Sequence, residues 1–432
     1  MCRGSSKSIN WRYLSSVHFV KISMTPASDS PPASPNHDSN ANPWEVFLVF
    51  LRLGLTAFGG PIAHLGYFRE EFVARRQWLT ERAYADLVAL CQFLPGPASS
   101  QVGISLGFLR AGYLGALAAW VGFTMPSVVV LILFALGVAQ GGDLIPPGVL
   151  QGLKVVAVAV VAQAVWGMGR QLCTDAKRVT IMAVATCLVL LVPSAWGQVG
   201  VILLAGLVGM MVFEPHPHGQ HEPLPITIRR RVGLVWLSIF FALLVGLPLL
   251  HAWSPNQWMA VVDVFYRTGS LVFGGGHVVL PLLQSEVVPP GWVSETAFLA
   301  GYGATQAVPG PMFTFSAFLG ASMQNAPNGW AGGFIAVVAI FLPSFFLVIG
   351  ALPFWEQLRR NARTQAALSG INAAVVGLLL AALYQPVWTS AVDGPKDFGL
   401  ALIALVALMF WKLPPWLVVI VCAFAGWGIN GT

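Results

Sequence analysis

Residues 90–101 read LCQFLPGPASSQ, and the fold turns on how Pro95, Gly96 and Pro97 cut an apolar run in that stretch. Two prolines around a glycine remove two backbone donors and forbid a straight helix. At the depth of a lipid hydrocarbon core, the carbonyls and amides freed in this way find no water. Such backbone is tolerated only where protein or a wet cavity surrounds it. The tripeptide recurs as Pro309, Gly310 and Pro311, and a glutamine stands three residues ahead of each copy, Gln92 and Gln306. Two copies in matching context predict one broken helix in each half of the chain.

The 432 residues are 56% hydrophobic and 9% charged, with a mean hydropathy of +0.73. No soluble domain buries that much apolar surface. Runs long enough for a hydrocarbon core of about 30 Å recur from residue 44 to the C-terminus. The expected fold class is an all-α polytopic membrane protein of two homologous helical halves, an inverted repeat with about 11 to 13 spans. The net charge of +6 comes from arginines in short loops between apolar runs, which membrane orientation explains without nucleic acid. Cys2, Cys91, Cys173, Cys187 and Cys422 have no paired spacing. They imply neither a disulfide framework nor a metal site, and read as small apolar side chains.

Residues 1–43 include SDSPPASPNHDSNANP and read as a disordered tail. The apolar patch at 17–22 is too short for a signal peptide, and Met24 is an alternative start. A first repeat is expected over 44–213 and a polar cytoplasmic linker over 214–231. An extra apolar segment is expected over 232–257 and a second repeat over 258–432. The linker carries His216, His218 and His221 among prolines, for which a solvated loop is the simpler reading than metal binding. VFLRLGLTAFGGPI at 49–62 matches VFYRTGSLVFGGGH at 264–277, which sets Arg267 on Arg52, and Gly274 and Gly275 on Gly59 and Gly60. QWLTERAY at 77–84 matches GWVSETAF at 291–298, and Pro126-Ser127 matches Pro343-Ser344. Residues 68–87, FREEFVARRQWLTERAYADL, suit a short amphipathic helix on the membrane surface.

Equivalent loops differ in charge. The loop after the first apolar run holds Arg69, Arg75, Arg76 and Arg82, whereas its counterpart at 284–295 holds no arginine and two acids. The positive-inside rule sets the first inside and the second outside, so the halves are expected to be antiparallel. Parity leaves one conflict open. Five spans per half already invert the second half, and the extra run at 232–250 undoes this if it too crosses.

FGGPIAHLGYFREEFV and QFLPGPASSQVG, with LVFGGGHVVLPLL and TQAVPGPMFTFS in the second half, resemble the chromate ion transporter family in its long, two-domain form. The resemblance covers roughly residues 44 to 425. It implies a multi-pass plasma-membrane protein that expels chromate and confers chromate resistance, with sulfate as a structurally similar competitor. The partners it leads one to expect are chromate and the lipid bilayer, with a homodimer open as an assembly. No cofactor and no metal are called for.

The residues fit an oxyanion path. Arg52 and Arg267 each lie inside an apolar run, where arginine costs about 2.5 to 3.5 kcal/mol on insertion scales. Each is expected to face protein, water or an anion, with snorkelling to the interface as the alternative. A helix restarting after a Pro-Gly-Pro break directs free amides at a ligand. Ser99 and Ser100 after the first break, and Thr314 after the second, either donate to oxyanion oxygens or cap their own helices. Gly59, Gly60, Gly274 and Gly275 allow backbone to approach a ligand or helices to pack closely. Gln92 and Gln306 either bind substrate or satisfy freed backbone. His64 and His277 are candidates for proton coupling, against a local hydrogen-bonding role.

No GxxxxGK[ST] nucleotide motif is present, so energy is expected from an ion gradient or the membrane potential. A dianion leaving a negative-inside cell gains about 4.6 kcal/mol per 100 mV. The rival readings are a carrier for sulfate or another oxyanion, and an intramembrane enzyme. For the latter the chain holds no HExxH, CxxC or haem motif.

Overall fold

The computed structural model describes residues 42–140, 146–214, 228–273 and 276–430. The expected tail, most of the linker, and Gly274 and Gly275 lie outside the described residues. Every element among them is helical.

The first helix, α1 (Pro43–Thr56), starts under an Asn42 cap with a proline in its first turn. Its 14 residues reach only about 21 Å, short of a hydrocarbon core. Gly59 and Gly60 then adopt φ of +100° and +78°, and α2 (Gly60–Arg69) continues through a π-turn at Glu70–Arg75. Arg76 ion-pairs with Glu45 at 3.1 Å, so the chain has come back to the start of α1. The second excursion is built likewise. α3 (Glu81–Phe93) begins under a Thr80 cap and stops ahead of the Pro-Gly-Pro break. α4 (Ala98–Gln140) then returns beside it, bringing Ser105 Oγ to 3.9 Å from Cys91 Sγ and the Arg110 guanidinium over the Trp78 ring.

α4 is two limbs. Ala111 (φ −141°) and Gly112 (φ +61°) leave helical geometry, and a Cβ on Gly107 would lie 2.8 Å from the Ala119 Cβ. On a straight helix those residues would be about 18 Å apart, so the limbs form a hairpin.

The surface helix expected over 68–87 is two pieces. Gln77 takes φ +53°, the Trp78 amide donates to the Phe72 carbonyl, and α3 starts afresh at Glu81. Packing decided this, because Phe68 and Phe72 are fully buried against Phe50. The apolar runs that follow appear as α5 (Pro147–Leu172), α6 (Ala176–Leu191), α7 (Ala195–Val212) and α8 (Arg230–Trp253).

In the second half, α9 (Gln257–Leu271) is again short, and α10 (Val279–Val287) returns beside it from a 3₁₀ turn at Gly276–Val278. α11 (Glu295–Thr305) runs to the second break under a Ser294 cap. α12 (Phe315–Ala321), preceded by a 3₁₀ turn at Met312–Thr314, folds back on it, so that Gly301 faces the Phe318 ring. Next come α13 (Gly329–Ala351), a short α14 (Trp355–Arg360), α15 (Ala362–Ala382), a single turn α16 (Thr389–Ala391), α17 (Pro395–Met409) and α18 (Pro415–Asn430).

The second limb of α4 and α13 run antiparallel. Trp120 packs on Phe341 and Phe345 at 5.8 Å, while Ile132 meets Gly333 and Leu136 meets Gly329. Among the described residues, five segments are long and apolar enough to cross a membrane: 98–138, which the bend at Ala111 and Gly112 divides, 147–172, 230–253, 329–354 and 362–391. α8 turns Val235, Phe241, Val245 and Leu249 outward, the face expected of a lipid-exposed helix.

Candidate functional site: a cavity where the two breaks meet

Each break is held by the opposite half. The Gly96 amide donates to the Val272 carbonyl at 2.6 Å, and the Gly310 amide donates to the Ala57 carbonyl at 3.0 Å. Val272 and Ala57 are the residues that follow α9 and α1, so each break stops the open end of the other half's first helix. Gly96 and Gly310 take φ of +117° and +105°. Only glycine enters that region without strain, and the flanking prolines leave the glycine amide as the donor at the tip.

The neighbouring carbonyls are satisfied differently in the two halves. The Ser127 hydroxyl donates to the Pro309 carbonyl, whereas the Pro95 carbonyl accepts from Gln101 Nε2 at 2.6 Å. Ser344, the counterpart of Ser127, lies beside Gly96 with its hydroxyl buried and without a partner among the described residues.

Between the breaks lies a cavity of about 430 Å³. Its wall draws on both halves: Gly59, Gly60, Gln92 and Gly96 from the first, Gly276, His277, Gln306 and Gly310 from the second. Four helical segments start in that wall, at Gly60, Ala98, Gly276 and Met312. Those at Gly60 and Ala98 begin α-helices, whose first amides lack intrahelical acceptors and lie at the positive end of the dipole, and those at Gly276 and Met312 begin 3₁₀ turns that lead into α10 and α12. Gln306 Nε2 is buried with no partner among the described residues. Among the described residues, no Asp, Glu, Lys or Arg lines the cavity. The arrangement suits an acceptor-rich anion held by uncharged donors.

The other wall was not foreseen. α5 contributes Val160, Gln163, Ala164, Gly167, Met168, Gln171 and Leu172, and α15 contributes Asn372. The α5 residues follow helical three- and four-residue spacing, so Gln163 and Gln171 on an otherwise apolar stripe were the available signal. Thr305, one residue before Gln306, also lines the cavity.

Several expected residues stand elsewhere. Arg52 is exposed on α1. Arg267 is paired with two acids, Glu286 at 2.5 Å and Asp263 at 3.2 Å, under the Trp196 ring. Neither arginine reaches the cavity. His64 is buried, with Nε2 3.2 Å from the Ala57 carbonyl and Nδ1 3.5 Å from Ser99 Oγ. His277 lines the cavity and meets the Tyr302 hydroxyl at 2.7 Å. The Ser100 hydroxyl is buried without a partner among the described residues. The Thr314 hydroxyl donates to the Pro311 carbonyl, a local cap. Pro95, Pro97, Pro309 and Pro311 flank the two tips rather than line the space.

The sequence profile described as chromate transporter matches residues 44–210 and again 259–427, most of the chain. The chain belongs to the chromate transporter family. Members similar to it include the "Chromate transport protein" of Pseudomonas aeruginosa, 27% identical over 89% of this chain and 91% of that protein. Another, of the same name, is from Cupriavidus metallidurans, 26% identical over 85% of this chain and 88% of its own. A third is the "Probable chromate transport protein" of Synechococcus elongatus, 27% identical over 87% and 93%. These relatives are named as transport proteins rather than enzymes. No solved structure matches the chain.

Proposed function

We propose that this chain carries chromate across the plasma membrane, outward and without nucleotide hydrolysis, through the cavity between its two breaks. The observation that carries the reading is the set of four helix starts around one cavity with amide side chains and, among the described residues, no charged side chain. A tetrahedral dianion offers only acceptors, and here donors are available from the backbone at the helix starts and from the side-chain amides of Gln92, Gln163, Gln171, Gln306 and Asn372. Family membership and the names of the relatives support chromate as the cargo. Sulfate shares its shape and charge and is the expected competitor.

The reading includes an inverted repeat, with repeats over 44–213 and 258–432. α1 with α2, and α3 with the first limb of α4, are half-membrane hairpins in the first repeat. α9 with α10, and α11 with α12, are their counterparts. Nine helices are then taken to cross, the second limb of α4, α5, α8, α13 and α15 by their own length and the shorter α6, α7, α17 and α18 together with their flanking residues. This is fewer than apolar runs alone suggest, because the short first helix of each repeat turns back at mid-depth. It also removes the parity conflict, since four crossings plus α8 invert the second repeat. The cavity follows α5 to its basic C-terminal end, the cytoplasmic side by the positive-inside rule, so this is the state that loads from inside. Rocking of one repeat against the other would then open the outer side.

Inside-out membrane vesicles from cells making the protein test the reading. Chromate should accumulate in them above empty-vector vesicles, in competition with sulfate. Gln306→Leu and Gln92→Leu at equal expression should each lower uptake at least tenfold. Uptake no greater than that of empty vesicles ends the chromate assignment.

A further inference from the structure

We propose that Tyr302 is a positioning residue that fixes His277 as a hydrogen-bond donor to the transported oxyanion. The Tyr302 hydroxyl donates to His277 Nδ1, the ring proton sits on Nε2, and that N–H is a contact of the anion in the cavity. The pairing stands on the geometry, and only the identity of the anion rests on the transport reading above. Tyr302 is fully buried on α11, with its ring edge-on to Phe315 at 5.7 Å. Its hydroxyl lies 2.7 Å from His277 Nδ1 and has no other partner among the described residues.

That single partner decides the tautomer. A proton on Nδ1 would leave the buried phenol O–H with no acceptor, an unmade bond that costs the full desolvation of the group. It would also turn the bare lone pair of Nε2 toward an anion. With the phenol donating, Nδ1 is the acceptor, the ring is neutral, and Nε2 carries the proton. His277 lines the cavity, and its Nε2 has no acceptor among the described residues. His64 shows the same pattern already closed: Ser99 Oγ faces its Nδ1 at 3.5 Å, but the Ala57 carbonyl takes its Nε2 at 3.2 Å, and it does not line the cavity. His277 has the hydroxyl and lacks the carbonyl, so a ligand oxygen is the acceptor its geometry calls for.

A second donor is open in the same wall. Gln306 follows Tyr302 by one helical turn, lines the cavity, and has its buried Nε2 without a partner among the described residues. The turn that carries His277 is held in place, because a Cβ on Gly276 would lie 3.4 Å from Met312 Cβ and 3.4 Å from Pro61 Cγ. Met312 follows the second break and Pro61 opens α2, so the imidazole is seated where the halves meet. The first repeat has no such pair. In its register Ile62 stands at the place of His277 and Val88 at the place of Tyr302, so both members are missing together. The imidazole donor therefore comes from the second repeat alone.

Solid-state NMR of the full-length protein in lipid, isotope-labelled at histidine, reads the ring without any transport. The His277 signals are those missing from His277→Gln. In the wild type at neutral pH, Nε2 should carry the proton and Nδ1 should be a bare, hydrogen-bonded nitrogen. A proton on Nδ1 overturns the pairing. In Tyr302→Phe the Nδ1 resonance should move to that of an unbonded ring nitrogen. An unchanged resonance overturns the role of Tyr302, and the wild-type spectrum decides alone should the variant fail to fold. Chromate should displace the wild-type Nε2 resonance, and no displacement at a concentration that saturates uptake overturns the contact. In inside-out vesicles His277→Leu should raise the KM for chromate about tenfold at a similar maximal rate. His277→Gln, whose amide sets an N–H near the same point, should stay within about threefold of the wild type, with Tyr302→Phe between the two. Equal losses in His277→Leu and His277→Gln overturn the donor role. A wild type that moves no chromate while its tautomer is as stated overturns the transport reading and leaves the Tyr302–His277 pair standing.

Discussion

Gly96 and Gly310 show how much one residue type can carry. A side chain at Gly96 would force an L-residue to φ near +117° and set its Cβ 3.1 Å from Ser344 Oγ and 2.7 Å from Gln101 Nε2. Gly96→Ala should lower stability by about 1–3 kcal/mol, read as a fall in melting temperature of the solubilised protein. Gly66→Ala, helical and facing open space, should leave it unchanged or slightly higher. The two serines after the helix prolines make a sharper pair. Ser127→Ala strips the Pro309 carbonyl of its donor and should cost about 1–3 kcal/mol, whereas Ser344→Ala removes no hydrogen bond and should cost well under 1 kcal/mol. Equal losses in the same melting experiment would mean that the two breaks are bonded alike. The glycines, prolines and glutamines at the breaks were legible because their chemistry is local. The serine asymmetry was not, since it depends on which carbonyl Gln101 reaches.

At the scale of elements, the turn after α2 is tied down by charge. Glu71 bonds Arg76 at 2.7 Å and Arg75 at 3.3 Å. Burial pushes its pKa up, but the hydrogen bond and charge of Arg76, with the charges of Arg75 and Arg52, outweigh this and hold the carboxyl below the usual glutamate range. A carboxyl lowered in the folded state stabilises fully above its unfolded pKa, about 4.3, and loses that contribution as pH falls through the folded value. The wild type should therefore lose melting temperature below pH 4.3 more steeply than Glu71→Gln, which starts lower at pH 7. Parallel curves would dismiss the contribution. The starts of α1, α3 and α11 are capped by Asn42, Thr80 and Ser294. The division of 68–87 into two pieces was not legible in the sequence, because it follows from Phe68 and Phe72 packing on Phe50.

At the scale of the whole molecule, the antiparallel contact of α4 with α13 and the exchanged bonds at the breaks are the observations on which the proposed inversion rests. With native cysteines replaced, Thr296→Cys should react with an impermeant thiol reagent in intact cells, and Ala74→Cys only in inside-out vesicles. Reaction of both from the same side would exclude inversion. The sequence by itself determined the helical membrane class, the two matched halves, the breaks and the glutamines at them. Hydropathy, missing proline donors and repeated spacing are properties of the chain. Only the tertiary structure decided that Arg267 is spent on Asp263 and Glu286, that α5 and α15 close the cavity, and that the first helix of each half turns back. Those outcomes depend on contacts between residues tens to hundreds of positions apart, which no local pattern encodes.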